Sequence, residues 1–245
     1  MIDFLQDLHV HSSEYSLDAS STLHENIQRA RKLGLNTLGL ADHVRSNTRW
    51  IAHKREQLSA IKDLGDMEIL FGVEAKILDA SGALDIPNYL VGVDYILIAD
   101  HSFPTTDGPL TPQEVRLLMA NGELSVDDVI EGIILASINA VLGSAKLSHP
   151  PILAHAFSLL PKLGLREEMI SEKQLERLGE ALITRGALVE INEKWGCPSR
   201  YVTSYLSNNG VELVAGSDAH SAELLGIYSP EMVLAGEALA ARSAR

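Results

Sequence analysis

Histidine, glutamate and aspartate recur in this chain in short groups of a kind that binds divalent cations. His9 and His11 stand two residues apart in "DLHVHS", His43 ends "LADH" and Glu74 ends "GVE". His101 follows "IAD", His155 lies in "ILAHA", and Asp218 and His220 repeat the two-residue spacing in "GSDAH". Imidazole and carboxylate together suit Zn²⁺, Mn²⁺ or Fe²⁺, whereas Mg²⁺ and Ca²⁺ favour all-oxygen shells. On a straight strand, residues i and i+2 project to one side, so His9 and His11 could share one ion. Two imidazoles alone hold no catalytic ion, and the partners must come from elsewhere in the chain. The chemistry expected of such a set is metal-assisted hydrolysis.

The elements that would gather these residues are legible as alternation. Strands are expected over 2–8, 36–41, 68–73, 94–99, 151–156, 187–192 and 211–216, with helices near 22–33, 49–64, 112–120, 126–146, 171–185 and 199–209. Thr111-Pro112-Gln113-Glu114 combines an N-cap, a first-turn proline and a capping-box glutamate. Ser125 with Asp128 is a weaker version, and Gly34 and Gly210 fit helix stops. Strand then helix, repeated, implies an α/β fold with a parallel sheet; the pattern leaves an open sheet and a closed barrel both open. The segment 102–111, SFPTTDGPLT, reads as a loop, and the terminal EALAARSAR as a helix end or frayed tail.

In a parallel α/β fold every strand carboxyl end points to the same face. Six of the nine histidines lie at or just past such an end, together with Glu74 and Asp218. A lone strand-end histidine is ordinarily a hydrogen-bonded structural residue. Six in one layer, with carboxylates, would leave many desolvated polar groups without partners unless ions supply them. His24 and His53 fall inside expected helices and His149 precedes a Pro-Pro turn, so these three read as structural.

The 245 residues, 46% hydrophobic, suffice for a core without staples, and no linker-like stretch divides them. One domain over 1–245 is the simplest count. The lone Cys197 excludes a disulfide framework and fits a reducing compartment. No leader-like N-terminus and no run of transmembrane length is apparent, so a cytoplasmic protein without a membrane partner is expected. The net charge of −13 argues against long nucleic acid as a partner. Metal ions would supply the local positive charge that a phosphate needs.

The ordered set "DLHVHS", "LADH", "GVE", "IADHSF", "ILAHA" and "GSDAH" resembles the PHP family of polymerase-associated and histidinol phosphatase proteins. The resemblance implies a distorted (β/α)7 barrel with its active site at the carboxyl ends of the strands. It implies two or three divalent ions, Zn, Mn or Fe, that hydrolyse a phosphate ester of a small substrate through a metal-held hydroxide. Histidinol phosphate and nucleotides are candidate substrates within that family. On its pattern His9, His11, Glu74 and Asp218 would hold the first ion, and Glu74, His101 and His155 the second. His43 and His220 would hold a third with Asp18, for which Glu14 is the rival. Glu74, Asp218 and His220 would be the residues at the reacting centre.

Asp42 and Asp100 each precede a ligand histidine and could orient imidazoles. Arg45, Arg49, Lys76, Lys194 and Arg200 could grip phosphate at the barrel mouth, and Asn192 could contact substrate. Trp195 could wall the pocket. Two alternatives compete. An amidohydrolase-type C–N hydrolase would commonly place a carboxylated lysine on strand four, which ends here in Asp100-His101. A metal-stabilised regulatory scaffold would ordinarily show missing ligands.

Overall fold

The computed structural model describes residues 2–62, 65–229 and 232. The elements run β1 (Gln6–Val10), α1 (Leu23–Leu33), β2 (Thr37–Val44), α2 (Ile51–Ser59), β3 (Glu68–Lys76), β4 (Tyr95–Ala99), β5 (Phe103–Thr105) and β6 (Gly108–Leu110). They continue with α3 (Pro112–Ala120), α4 (Val126–Gly143), β7 (Pro151–Ala154), α5 (Leu159–Lys162), α6 (Glu172–Arg185), β8 (Leu188–Asn192), α7 (Arg200–Asn208) and β9 (Leu213–Gly216). The terminal segment EALAARSAR lies outside the described residues.

Seven strands form one sheet in the order β1-β2-β3-β4-β7-β8-β9, and every pairing in it is parallel. Its two outer strands meet through a bridge between Val10 and Ala219. There the His11 N–H donates to the Ala219 carbonyl and the Ala219 N–H to the His9 carbonyl. The sheet therefore nearly closes on itself, and its seven carboxyl ends share one rim. This is the expected (β/α)7 barrel.

Alternation along the strands divides the core. Phe71, Val73, Ile96, Ile98, Leu153 and Val189 point outward beneath the helices, with Ile130, Ile133, Leu178 and Val202. Leu8, Ala41, Tyr95, Leu97, Ile152, Ala154 and Val214 fill the inside. Tyr95 plugs the barrel, its hydroxyl donating to the Leu8 carbonyl at 2.6 Å. A Cβ at Gly39 or Gly72 would lie 2.2 or 2.3 Å from that side chain, so β2 and β3 carry glycine where it passes. Gly72→Ala is expected to lower stability by about 1–3 kcal/mol through overpacking. A denaturation midpoint equal to the wild type's would show that the ring does not occupy that space.

Helix starts follow the sequence signals. Thr22/Glu25, Thr111/Glu114, Ser125/Asp128 and Ser171/Gln174 all form reciprocal capping boxes. The α2 helix stops at Ser59, short of residue 64, and α4 ends at Gly143 with a 3₁₀ turn to Lys146. The segment Val126–Lys146 is in fact long and apolar enough to cross a membrane by length and composition, contrary to the sequence reading; half of it is buried here. It packs on α6 and the β5–β6 hairpin as a core helix.

Three further expectations need correction. Residues 2–5 precede the first strand instead of opening it, because Asp3 accepts the Leu5 N–H in a local turn. β2 and β3 each continue three residues beyond the expected end, so His43 and Glu74 lie inside strands, paired across the sheet. The 102–111 loop is a β-hairpin, Phe103 pairing with Leu110 and Thr105 with Gly108. Three-residue strands are too short for alternation to register.

Candidate metal centre

At the carboxyl rim, β1 carries a one-residue slip: Asp7 pairs with Leu38 but Val10 with Leu40. The bulge turns Leu8 and then His9 inward, and His11 returns to the interior past Val10. The strand is not straight, yet both imidazoles reach one centre. Bulges often re-aim side chains beside active sites. His155 and Asp218 adopt left-handed backbone, with φ of 31° and 53°, a conformation that costs free energy in non-glycine residues.

Glu74 is the hub. Its Oε1 lies 3.0 Å from Nε2 of both His101 and His155. Its Oε2 lies 2.6 Å from His43 Nδ1 and 3.6 Å from Nε2 of both His9 and His11. Asp218 Oδ1 is 3.3 Å from His11 Nε2 and 3.8 Å from His9 Nε2. Asp18 Oδ2 stands 3.2 Å from His220 Nε2 and 3.5 Å from His43 Nε2. Glu14 is engaged elsewhere, accepting the Leu23 N–H at the start of α1. All nine residues expected to be ligands therefore converge. The donor atoms group as His9–His11–Glu74, His9–His155–Asp218, Glu74–His101–His155 and His11–His43–His220, each within 4.8 Å. His11 thus belongs to two groups, a sharing the sequence did not indicate.

The groups behind these donors fix which nitrogen faces inward. His9 Nδ1 lies 2.7 Å from the carboxylate oxygen Glu190 Oε1, so His9 carries its proton there and turns Nε2 to the centre. Glu190 Oε2 also accepts the His155 N–H at 2.7 Å. A Cβ at Gly216 would sit 1.9 Å from Glu190 Oε1, so glycine there makes room for the carboxylate. Asp100 Oδ1 stands 3.7 Å from His155 Nδ1, with Ser158 between them. Trp195 Nε1 donates to Asp218 Oδ2 at 2.8 Å.

The electrostatics suit cations. Burial would raise the Glu74 carboxyl, but His101 and His9 outweigh it and hold it well below the usual carboxylate range. Burial likewise opposes ionisation of Asp218, and His9 and His11 overcome it. Desolvation would neutralise His9, yet Glu190, Asp218 and Glu74 push its pKa well above normal. Buried carboxylates here demand positive charge, which protons or metal ions can provide. Three buried atoms aimed into the centre, His9 Nε2, His11 Nε2 and Glu74 Oε2, make no well-formed hydrogen bond, although Glu74 Oε2 is close to His43 Nδ1 and His11 Nε2 to Asp218 Oδ1. Buried polar atoms are seldom left so. Imidazole nitrogens and carboxylate oxygens at this spacing fit divalent first-row ions.

A cavity of about 710 Å³ opens onto the centre, lined by Tyr15, Asp18, His43, Arg45, Lys76 and His101 among others. Of the expected phosphate-gripping residues, Arg45 and Lys76 line this cavity, and Lys194, outside its lining, has its Nζ 3.3 Å from Asp218 Oδ1. Arg49 is exposed and outside the lining. Arg200 and Asn192 line a different cavity of about 430 Å³, and Asn192 Oδ1 accepts the Trp195 N–H. His24 and His53 stay apart from the cluster, as does His149.

Glu190 was overlooked in the sequence although its signal was present. It precedes Asn192 by two in "VEIN", an acid on the inward face of an apolar strand. Lys54 gave no such signal, since a lysine in an amphipathic helix ordinarily faces water.

Known proteins bear on this arrangement. The PHP domain family matches residues 7–194. A protein named a probable phosphatase in Clostridium acetobutylicum is 24% identical over 92% of this chain and 82% of its own length. Another so named, from Clostridium botulinum, is 26% identical over the same shares. A solved chain from Listeria monocytogenes assigned as a histidinol phosphatase superposes with a TM-score of 0.61, at 16% identity, covering 90% of this chain and 97% of that one. A histidinol phosphate phosphatase from Lactococcus lactis, solved with Zn, L-histidinol and phosphate, gives 0.55 at 13% identity, with 96% and 91% coverage. The barrel, the inward-facing donors and the family match agree: this chain belongs to the PHP domain family.

Proposed function

We propose that the chain hydrolyses phosphate esters of small substrates with two or three divalent ions held at the barrel rim. His9, His11, Glu74 and Asp218 would hold one, Glu74, His101 and His155 a second, and His43, His220 and Asp18 a third. The observation that carries this reading is the convergence of His9 Nε2, His11 Nε2 and Glu74 Oε2, all buried and none in a well-formed hydrogen bond, on one point. Bound ions supply Lewis acidity and water ionised near neutral pH. The chain's own groups orient the ester: Arg45 and Lys76 flank the cavity, and Lys194 stands beside Asp218 and His220. The zinc, histidinol and phosphate of the Lactococcus lactis structure support this class of ligand. A reducing compartment fits a chain whose one cysteine is buried and unpaired.

The direct test is hydrolysis of an aryl phosphate by zinc- or manganese-loaded protein, with metal content measured alongside. Absence of turnover across a panel of phosphate esters, with metals bound, would overturn the reading. Two variants sharpen it. Glu190→Gln is expected to weaken ion affinity about 10–100-fold while leaving every proposed ligand in place; unchanged affinity in a metal titration would remove Glu190 from the centre's support. Arg45→Ala is expected to raise KM about tenfold with kcat little changed, the pattern of lost ground-state binding. An unaltered KM would place the phosphate elsewhere.

A further inference from the structure

A buried cation lies behind the centre and touches none of the proposed ligand side chains. Lys54 projects from α2 and is fully buried. Its Nζ lies 2.5 Å from Asp42 Oδ2 and donates to the Leu40 carbonyl at 2.9 Å. The rings of Phe71, Tyr15 and Trp50 surround it, with centroids 5.0, 5.5 and 5.6 Å away. Taking both charges out of water is costly, and a well-packed apolar pair would commonly serve stability as well or better. Packing alone does not account for a lysine here.

Asp42 shows what the pair accomplishes. Its Oδ1 accepts the Ser12 N–H at 2.7 Å and the Ser16 hydroxyl at 2.8 Å. Its Oδ2 accepts the Ser12 hydroxyl at 2.7 Å in addition to Lys54. Four donors converge, and only an ionised carboxylate with no proton of its own can accept them all. The Ser16 proton is committed to Asp42, so towards its other neighbours Ser16 Oγ can only accept. Those neighbours are His11 Nδ1 at 3.3 Å and the His43 N–H at 3.3 Å. His11 must then carry its proton on Nδ1, which leaves Nε2 bare towards the centre. The same loop continues to Asp18.

We propose that Lys54 is a positioning residue for the ion group of His11, His43 and His220. Its Nζ fixes the Asp42 carboxylate in place, and Asp42 in turn holds the Ser12–Asp18 loop and the His11 tautomer through Ser12 and Ser16. The proposal rests on the metal-centre reading. It makes α2, whose residues hold no ligand, part of the device that completes the site.

Lys54→Met alone strands Asp42 unpaired, so the informative variants are Lys54→Met with Asp42→Asn, which removes both charges, and Ser16→Ala, which cuts the link beyond them. Each is dialysed against metal-free buffer and compared with wild type for ions per chain, kcat and melting temperature. Both variants are expected to melt within a few degrees of wild type when metal-free. Each should retain one ion fewer per chain, with about 10–100-fold weaker affinity at that position and a matching loss in kcat. The ion of Glu74, His101 and His155 should stay, because His155 is held by Glu190, Asp100 and Ser158 instead. Full ion content and wild-type kcat in both folded variants would overturn the proposal and leave Lys54 a packing residue. Wild-type protein that binds no ions would overturn the metal-centre reading itself.

Discussion

Glu74→Gln is expected to lower kcat towards an aryl phosphate by about a thousandfold, with at least one ion lost per chain. Glutamine keeps the volume and one carbonyl oxygen but removes the charge. Both carboxylate oxygens are engaged, Oε1 with His101 and His155, Oε2 facing His9, His11 and His43. An amide nitrogen on either side would present a donor where an electron pair is needed. A bound divalent ion contributes several kcal/mol of charge stabilisation, and about 4 kcal/mol corresponds to three decades in rate. The measurement is kcat with ions per chain on the same preparation. A variant that keeps its metals and a tenth or more of the wild-type rate would remove Glu74 from the hub.

Chelation should abolish turnover and also destabilise the fold. At free ion about a thousandfold above Kd, each site contributes about 4 kcal/mol, and about 2–4 °C per kcal/mol holds for a chain of this size. Metal-free protein is thus expected to melt about 10 °C lower per site vacated. The difference should grow with pH. Burial would lower the His155 pKa, but Asp100 and Glu74 outweigh it and push it up to about 10, above its ordinary 6.5. A group raised in this way stabilises the metal-free fold fully below pH 6.5, and that support is lost as pH rises towards 10. Metal binding displaces the same protons, so the loaded form gains as they leave. Between about pH 6.5 and 9 the gap in melting temperature should therefore widen. A gap that narrows, or activity that survives exhaustive chelation, would contradict the metal assignment.

Much of the centre was readable in order along the chain because chemistry and position coincide. A histidine or acid at the end of an apolar strand is conspicuous, and a parallel sheet sends every such end to one rim. Asp18 was distinguished from Glu14 only by the fold: one reaches His43 and His220, the other caps α1. Arg45 and Arg49 lie four residues apart, yet only the first lines the cavity. Exposed cations carry no periodic signature, so their direction depends on the loop that bears them.

By itself the sequence determined the strand–helix alternation and the types and order of the candidate ligands, since apolar periodicity, capping boxes and side-chain chemistry are local properties. Only the tertiary structure decided closure of the barrel, the bulge that turns His9 inward and the partners that fix each imidazole. Glu190 meets His9 across 181 positions, and Lys54 is buried where Asp42, the Leu40 carbonyl and three aromatic rings receive its Nζ. Such contacts arise when separate strands and helices pack together, and no window of neighbouring residues contains them.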